Sequence, residues 1–422
     1  MRDSPAVAID PRRATLLDLY TAACDAVEGR RAVRAALAAP EQRAGGRDWS
    51  LIAVGKAAGA MALGALDALG PLVKRGLVIT RAGHLDPELK RWPAIRGLVG
   101  DHPLPGPGSL AAGAALLDFA RATSAGEAVL VLVSGGASSL VEVLAEGVSA
   151  EELRRVNAWG LSSGVAIGTL NAVRSRLSWL KGGRLARLLA HTKARALLIS
   201  DVAGDDPAVI GSGLVAATAV GAPPPAELPP WIAELIARVG PGEPGSTLPA
   251  ELIGTLDAAI AAAARAADAR GLTVRVLAPP ASGDVLAAAS RFAHELALTT
   301  EDVLLWGGET TVRLPAEPGR GGRNQQFALA AARLISGHPR LVLLAAGTDG
   351  SDGNTDDAGA IVDGGTLVRG REAGFEADVA LEAANAGPFL AAAGDLLHTG
   401  PTGTNVGDLM IGLGRGAAPA EA

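Results

Sequence analysis

The stretch AVLVLVSGGASSLVEVLA, residues 128–145, constrains the fold more than any other part of the chain. A continuous apolar run leads into Ser134-Gly135-Gly136, and a helical pattern follows. A strand apolar at every position has both faces covered, the habit of a parallel sheet with helices on each side. The same strand, glycine turn and helix recur in LIAVGKAAGAMALGAL (51–66). GLVIT (76–80), IRGLVGDHPLPGPGSLAAGAALLDFA (95–120) and ALLISDVAGDDPAVIGSG (196–213) repeat the theme with longer loops. The pattern predicts a doubly wound, mainly parallel α/β domain.

A chain of 422 residues is too long for one ordinary core, so two domains are expected. Residues 222–249 are dense in Pro and Gly and read as a connection holding a short helix. The expected division is residues 1–228, a connection at 229–249, and a smaller α/β domain at 250–422. In the first domain a long helical pattern covers 12–38. In the second, a helix is expected over 250–271, a strand over 273–277 and a helix near 284–297. VLLWGGETTVRL reads as two strands around Gly307-Gly308, a helix opens at GGRNQQFALA, and strands follow at 340–347 and 408–414.

Apolar residues make up 49% of the chain, which argues against disorder. The net charge of −6 and the lack of a basic stripe with interleaved aromatics argue against nucleic acid. The N-terminus lacks an apolar signal core, and the longest uncharged stretches contain Gly, Ser and Pro, so a cytoplasmic protein without membrane spans is expected. Cys24 cannot form an internal disulfide and reads as a small core residue. Whether the chain forms a homo-oligomer is left open.

Ligands of open α/β sheets bind outside the carboxyl ends of the strands, so the loops there are the candidates. Ser134, Gly135, Gly136 and Ser138 lie at such a place, where successive backbone N–H groups suit an anion; a tight turn needing glycine for packing is the plainer alternative. Neither a Walker A pattern nor a G-x-G-x-x-G fingerprint is present. Gly55-Lys56 puts an ammonium at a helix start, against the helix dipole, which is tolerable where it meets an anion. Only five lysines stand against thirty-three arginines, so those that remain can mark a need for a compact ammonium.

Asn171 and Arg174 share a helix face in LNAVRSRLSWLKGGRLA (170–186), with Lys181 further on; a solvated face explains them equally well. Asp201 and Asp205 follow one strand, and Asp349, Asp352, Asp356 and Asp357 follow another. Carboxylates at strand ends suit Mg²⁺ shared with substrate phosphates, although Asx turns account for many such aspartates. GLSSG (160–164) matches a nucleophile elbow, but it follows a helical segment and not the strand that elbow requires. Asp101-His102-Pro103 reads as a turn. With no evident nucleophile or redox motif, anion loops, cations and acidic loops together point to phosphoryl transfer, which depends mainly on positioning and charge.

Blocks in order along the chain resemble the glycerate 2-kinases, the glycerate kinase class with a MOFRL C-terminal domain. They are AVGKAAGAMA (53–62), GDHPLPGPGS (100–109), VSGGASSLVEVLAEGVS (133–149), LNAVRSRLSWLKGGRLA (170–186), ISDVAGDDPAVIGSG (199–213), WGGETTVRL (306–314), GGRNQQFALA (321–330), AAGTDGSDGNTDDAGAIVD (345–363) and HTGPTGTNVGDL (398–409). The resemblance implies ATP-dependent phosphorylation of D-glycerate to 2-phosphoglycerate with Mg²⁺. It implies a cleft between a Rossmann-like N-terminal domain and a MOFRL domain. Lys56 and Arg323 match the family's proposed basic pair; Glu309, Asn324 and Asp349 fall in matching blocks and are binding candidates. Two departures stand out: Ala137 replaces a third glycine, and SDGNTDD lacks a proline common after its glycine. The competing expectations are an NAD-dependent hydroxypyruvate reductase and a non-catalytic metabolite sensor.

Overall fold

In the computed structural model, residues 10–38, 47–162, 165, 167–217, 228–240 and 242–414 are described. The chain forms two compact units that do not follow the expected contiguous division. One comprises residues 27–255 and 403–406; the other comprises 1–26, 256–402 and 407–422.

The first unit is built on a six-stranded sheet: β1 (Trp49–Val54), β2 (Val73–Arg81), β3 (Ile95–Gly100), β4 (Ala128–Val133), β5 (Lys193–Ile199) and β6 (Ala250–Gly254). All pairings are parallel, in the order β3-β2-β1-β4-β5-β6. Every residue of β1 and β4 is buried, which is why both read as unbroken apolar runs. Helix 58–69 covers one face and helix 107–121 helps cover the other. This order reverses direction between β1 and β4, and the crevice at that switch point is where doubly wound sheets bind ligands. Helices 150–162, 167–176 and 230–239 gather around a separate small core that includes Val156, Val173 and Ile232.

The second unit holds β7 (Val274–Val276), β8 (Val303–Gly308), β9 (Val342–Gly347), β10 (Gly359–Asp363), β11 (Leu396–Leu397) and β12 (Asp408–Leu413), in the order β11-β10-β9-β12-β8-β7. Only β7 and β8 pair in parallel; the remaining neighbours are antiparallel. Helices 285–298 and 323–334 pack on one face through Phe292 and Phe327. Helices 11–26 and 256–268 cover the other, where the Tyr20 hydroxyl donates to the Gly347 carbonyl at 2.7 Å.

Several expected elements differ. The pattern over 12–38 divides into helices 11–26 and 29–36, because Glu28 stops one and caps the next through the N–H groups of Arg30 and Arg31. The two helices then belong to different units. Residues 250–254, expected as helix, form edge strand β6, with the helix starting at Leu256. Helix 167–176 stops well before Lys181, and Gly182 and Gly183 at positive φ break the pattern before a second short helix at 184–188. One strand, not two, surrounds Gly307-Gly308, with only an isolated bridge at Thr311. Of GLSSG, residues 163 and 164 lie outside the described set, and helix 150–162 precedes them.

Candidate active site

The switch point is assembled from the loops after β1, β4 and β5. Gly55 ends β1 at φ +137, and a Cβ there would lie 2.1 Å from the Ser134 Oγ. Only glycine allows the two loops to meet so closely. The Lys56 N–H donates to the Gly135 carbonyl at 2.9 Å, and the Ala57 N–H to Ser134 Oγ at 3.0 Å. Ser134 Oγ therefore ties the residue that precedes helix 58–69 to the loop after β4.

The Lys56 side chain is half-buried and extends over this junction. A Cβ on Gly136 would touch both Lys56 Cγ and His102 Cδ2, each at 3.2 Å. His102, expected as part of a turn only, thus stands beside the lysine. A Cβ on Gly135 would fall 1.9 Å from Asp201 Oδ2 and 2.0 Å from Asn405 Nδ2. Asn405 in turn donates to Asp201 Oδ2 at 2.9 Å. Asp201 is thereby fixed against the glycine loop, while Asp205 lies further along its loop at φ +53. Among the described residues no group of three or more His, Cys, Asp or Glu side chains could hold a metal by itself. The arrangement fits a cation that takes one or two carboxylates and completes its shell with phosphate and water. Gly135→Ala is expected to cost about 1–3 kcal/mol of stability through displacement of Asp201 or Asn405, checked by denaturant melts.

The helix after the glycine loop is a single turn, residues 137–140, shorter than the sequence suggested. So short a helix contributes little dipole. Ser138 Oγ lies 2.6 Å from Ser212 Oγ, and Ser212 donates to Asn171 Oδ1 at 3.0 Å. Because Ser212 gives its proton to Asn171, Ser138 must give its own to Ser212. The Ser138 and Asn171 groups are tied to one another and to the loop at 211–213.

Two other sequence candidates serve packing. Arg174 donates from Nε to Asn157 Oδ1 at 2.8 Å, and burial lowers its pKa. Lys181 is fully enclosed, with its ammonium paired to Glu142. Neither is brought to the glycine loops by the contacts it makes.

In the second unit, Arg323 opens helix 323–334 behind Gly322. Its Nε and one terminal nitrogen grip Asp408 at 2.6 and 3.1 Å, and the other terminal nitrogen donates to Glu309. The adjoining carboxylates raise the pKa of this guanidinium against burial, which acts the other way. Asp352 caps the helix, accepting from the N–H groups of Asn324 and Gln325 at 3.1 and 2.8 Å. Burial pushes the Asp352 carboxyl up to about 7, with those two bonds opposing. Asn324 Nδ2 bridges Asp352 and Asp408 at 3.3 and 3.0 Å. Asp349 accepts from the N–H and hydroxyl of Ser351 at 2.9 and 3.0 Å, forming an Asx turn. Asp408 and Asn405 escaped sequence reasoning; both lie in the quoted block HTGPTGTNVGDL, whose polar residues after a glycine run were the available signal.

Residues 15–222 match the model of a domain of unknown function, DUF4147, and residues 302–408 match the MOFRL family model. The chain is 35% identical to the D-glycerate 2-kinase of Thermotoga maritima over 379 residues, covering 86% of this chain and 90% of that protein. It is 36% identical over 381 residues to a putative hydroxypyruvate reductase of Agrobacterium vitis, covering 85% of this chain and 97% of the relative. The crystal structure of a glycerate kinase from Thermotoga maritima superposes with a TM-score of 0.79 at 33% identity, covering 95% of this chain and 99% of that one.

Proposed function

The chain belongs to the glycerate 2-kinase family, and from that premise we propose that it transfers the γ-phosphoryl group of ATP to the 2-hydroxyl of D-glycerate. The observation that carries this reading is the switch-point loop set, in which Lys56, the Gly135-Gly136 turn and Asp201 converge with space kept by glycine. Phosphoryl transfer asks for such a set: fixed cations, backbone that approaches phosphate closely, and a carboxylate for a divalent ion. Within the second unit Arg323 is a cation held by carboxylates at a helix start.

In this reading Lys56 stabilises charge on the transferring phosphoryl oxygens. The Gly135-Gly136 backbone would lie along the phosphates, and Asp201, with Asp205 as a second carboxylate, would hold Mg²⁺. Bound there, Mg²⁺ would neutralise phosphate charge. Asn405 keeps the Asp201 carboxylate oriented through its 2.9 Å bond. Arg323 binds an anionic group of the reactants. No helix among the described residues is long and apolar enough to cross a membrane, and the reading requires only small, freely diffusing substrates.

The name of the Agrobacterium vitis relative, a putative hydroxypyruvate reductase, and the β3-β2-β1-β4-β5-β6 strand order favour a dinucleotide reductase as a second reading. Against it, the β1 turn reads Gly55-Lys56-Ala57-Ala58-Gly59 and lacks the G-x-G-x-x-G spacing. Purified protein given ATP, Mg²⁺ and D-glycerate is expected to release ADP, with phosphorus NMR identifying 2-phosphoglycerate. Oxidation of NADH by hydroxypyruvate with no ADP release would reverse the choice, and no turnover of either kind would leave a binding protein.

A further inference from the structure

Arg323 is surrounded by more negative charge than a receptor for an anion should carry. Two carboxylates, Asp408 and Glu309, bond it directly, and Asp352 lies within electrostatic reach. A phosphate or carboxylate arriving there would meet like charges at short range, which disfavours binding.

The two direct partners differ sharply in setting. The Asp408 side chain is 1% exposed and engages Nε and a terminal nitrogen side-on, with Asn324 holding the same carboxylate at 3.0 Å. Releasing it would leave a buried charge unpaired. The Glu309 side chain is 55% exposed and takes one terminal nitrogen only. Its exposed end needs no partner from the protein, so it can swing into water at little cost.

We propose that these carboxylates divide the work on Arg323: Asp408 holds the guanidinium in position, while Glu309 stands in for the anionic group of the substrate and leaves when that group arrives. Asp408 is thus a positioning residue, and Glu309 a competitor built into the site that keeps Arg323 ordered between turnovers. The inference rests on the kinase reading, in which Arg323 contacts an anionic reactant.

The test measures binding of D-glycerate and of inorganic phosphate by titration calorimetry to the wild type, Glu309→Gln, Glu309→Ala and Arg323→Ala. Both Glu309 variants are expected to bind at least one of the two anions about two- to fivefold more tightly, and Arg323→Ala to bind that anion more weakly. Asp408→Asn, by freeing the guanidinium, is expected to lower kcat at least ~10-fold with a smaller change in KM, and Asp408→Glu to recover part of the loss. Unchanged or weaker binding in both Glu309 variants overturns the placeholder role, as does full affinity in Arg323→Ala. Equal losses in kcat and stability for Asp408→Asn and Asp408→Glu overturn the positioning role. Failure of the kinase reading is separate: the wild type would then show no ATP-dependent turnover of D-glycerate, whatever the binding results.

Discussion

Lys56→Ala is expected to lower kcat about 10²–10³-fold, the usual cost of removing one group aimed at developing charge. The loss should appear without unfolding, because the backbone bonds made at this position survive the substitution. Its N–H bonds to the Gly135 carbonyl and its carbonyl accepts from Thr80 Oγ1, contacts that alanine keeps. The side chain lies along the open side of Gly136 beside His102, and truncation there empties the junction without exposing a core. Lys56→Arg should recover little, since a planar fork does not replace a compact ammonium between glycine turns. A coupled ADP assay at saturating ATP and D-glycerate gives kcat, and circular dichroism melts check the fold. Turnover within a few-fold of wild type in Lys56→Ala would remove the lysine from the chemistry and, with it, the main support for the kinase mechanism.

The parallel sheet was legible because strands buried on both faces leave unbroken apolar runs, and the glycine turns after β1 and β4 marked the switch point in advance. What stayed hidden depended on distant partners. Asn405 meets Asp201 across 204 residues, and no local pattern announces such a pairing. Helix 11–26 reads as part of the neighbouring N-terminal segment. Yet its Arg13 bonds Asp363 and Asp395, and its Tyr20 bonds Gly347, all in the second unit. Periodicity specifies that a helix has an apolar face but not which sheet covers it. The largely antiparallel order of the second sheet was similarly out of reach, because a fully buried central strand looks alike in either direction. β9 and β12 are both buried at every position despite pairing antiparallel.

Lys181 shows the same limit at a single residue, and it carries the second large expected effect. The scarcity of lysine drew attention to this position, and in the structure its ammonium pairs with Glu142. The Lys181 and Glu142 side chains are 0% and 1% exposed. Burial lowers the pKa of Lys181, and the Glu142 charge opposes that shift. Glu142 is itself held by the backbone, its N–H donating to the Ser109 carbonyl at 3.0 Å. Moreover, Gly113 packs so close that a Cβ would lie 2.1 Å from the Glu142 carbonyl oxygen. The carboxylate itself accepts from the Val143 N–H at 3.1 Å, a bond that keeps it in its buried place when the ammonium is removed. Lys181→Ala is expected to destabilise the protein by about 3–5 kcal/mol, the cost of leaving one charge of a buried pair without the other. Replacing both at once, as Lys181→Met with Glu142→Leu, should recover most of that loss, because an apolar pair of similar volume needs no compensation. Urea melts of the single and double variants give the coupling directly. A cost below about 1 kcal/mol for Lys181→Ala would mean that the ammonium does not carry the pair, and would return Lys181 to the candidates for binding an anion.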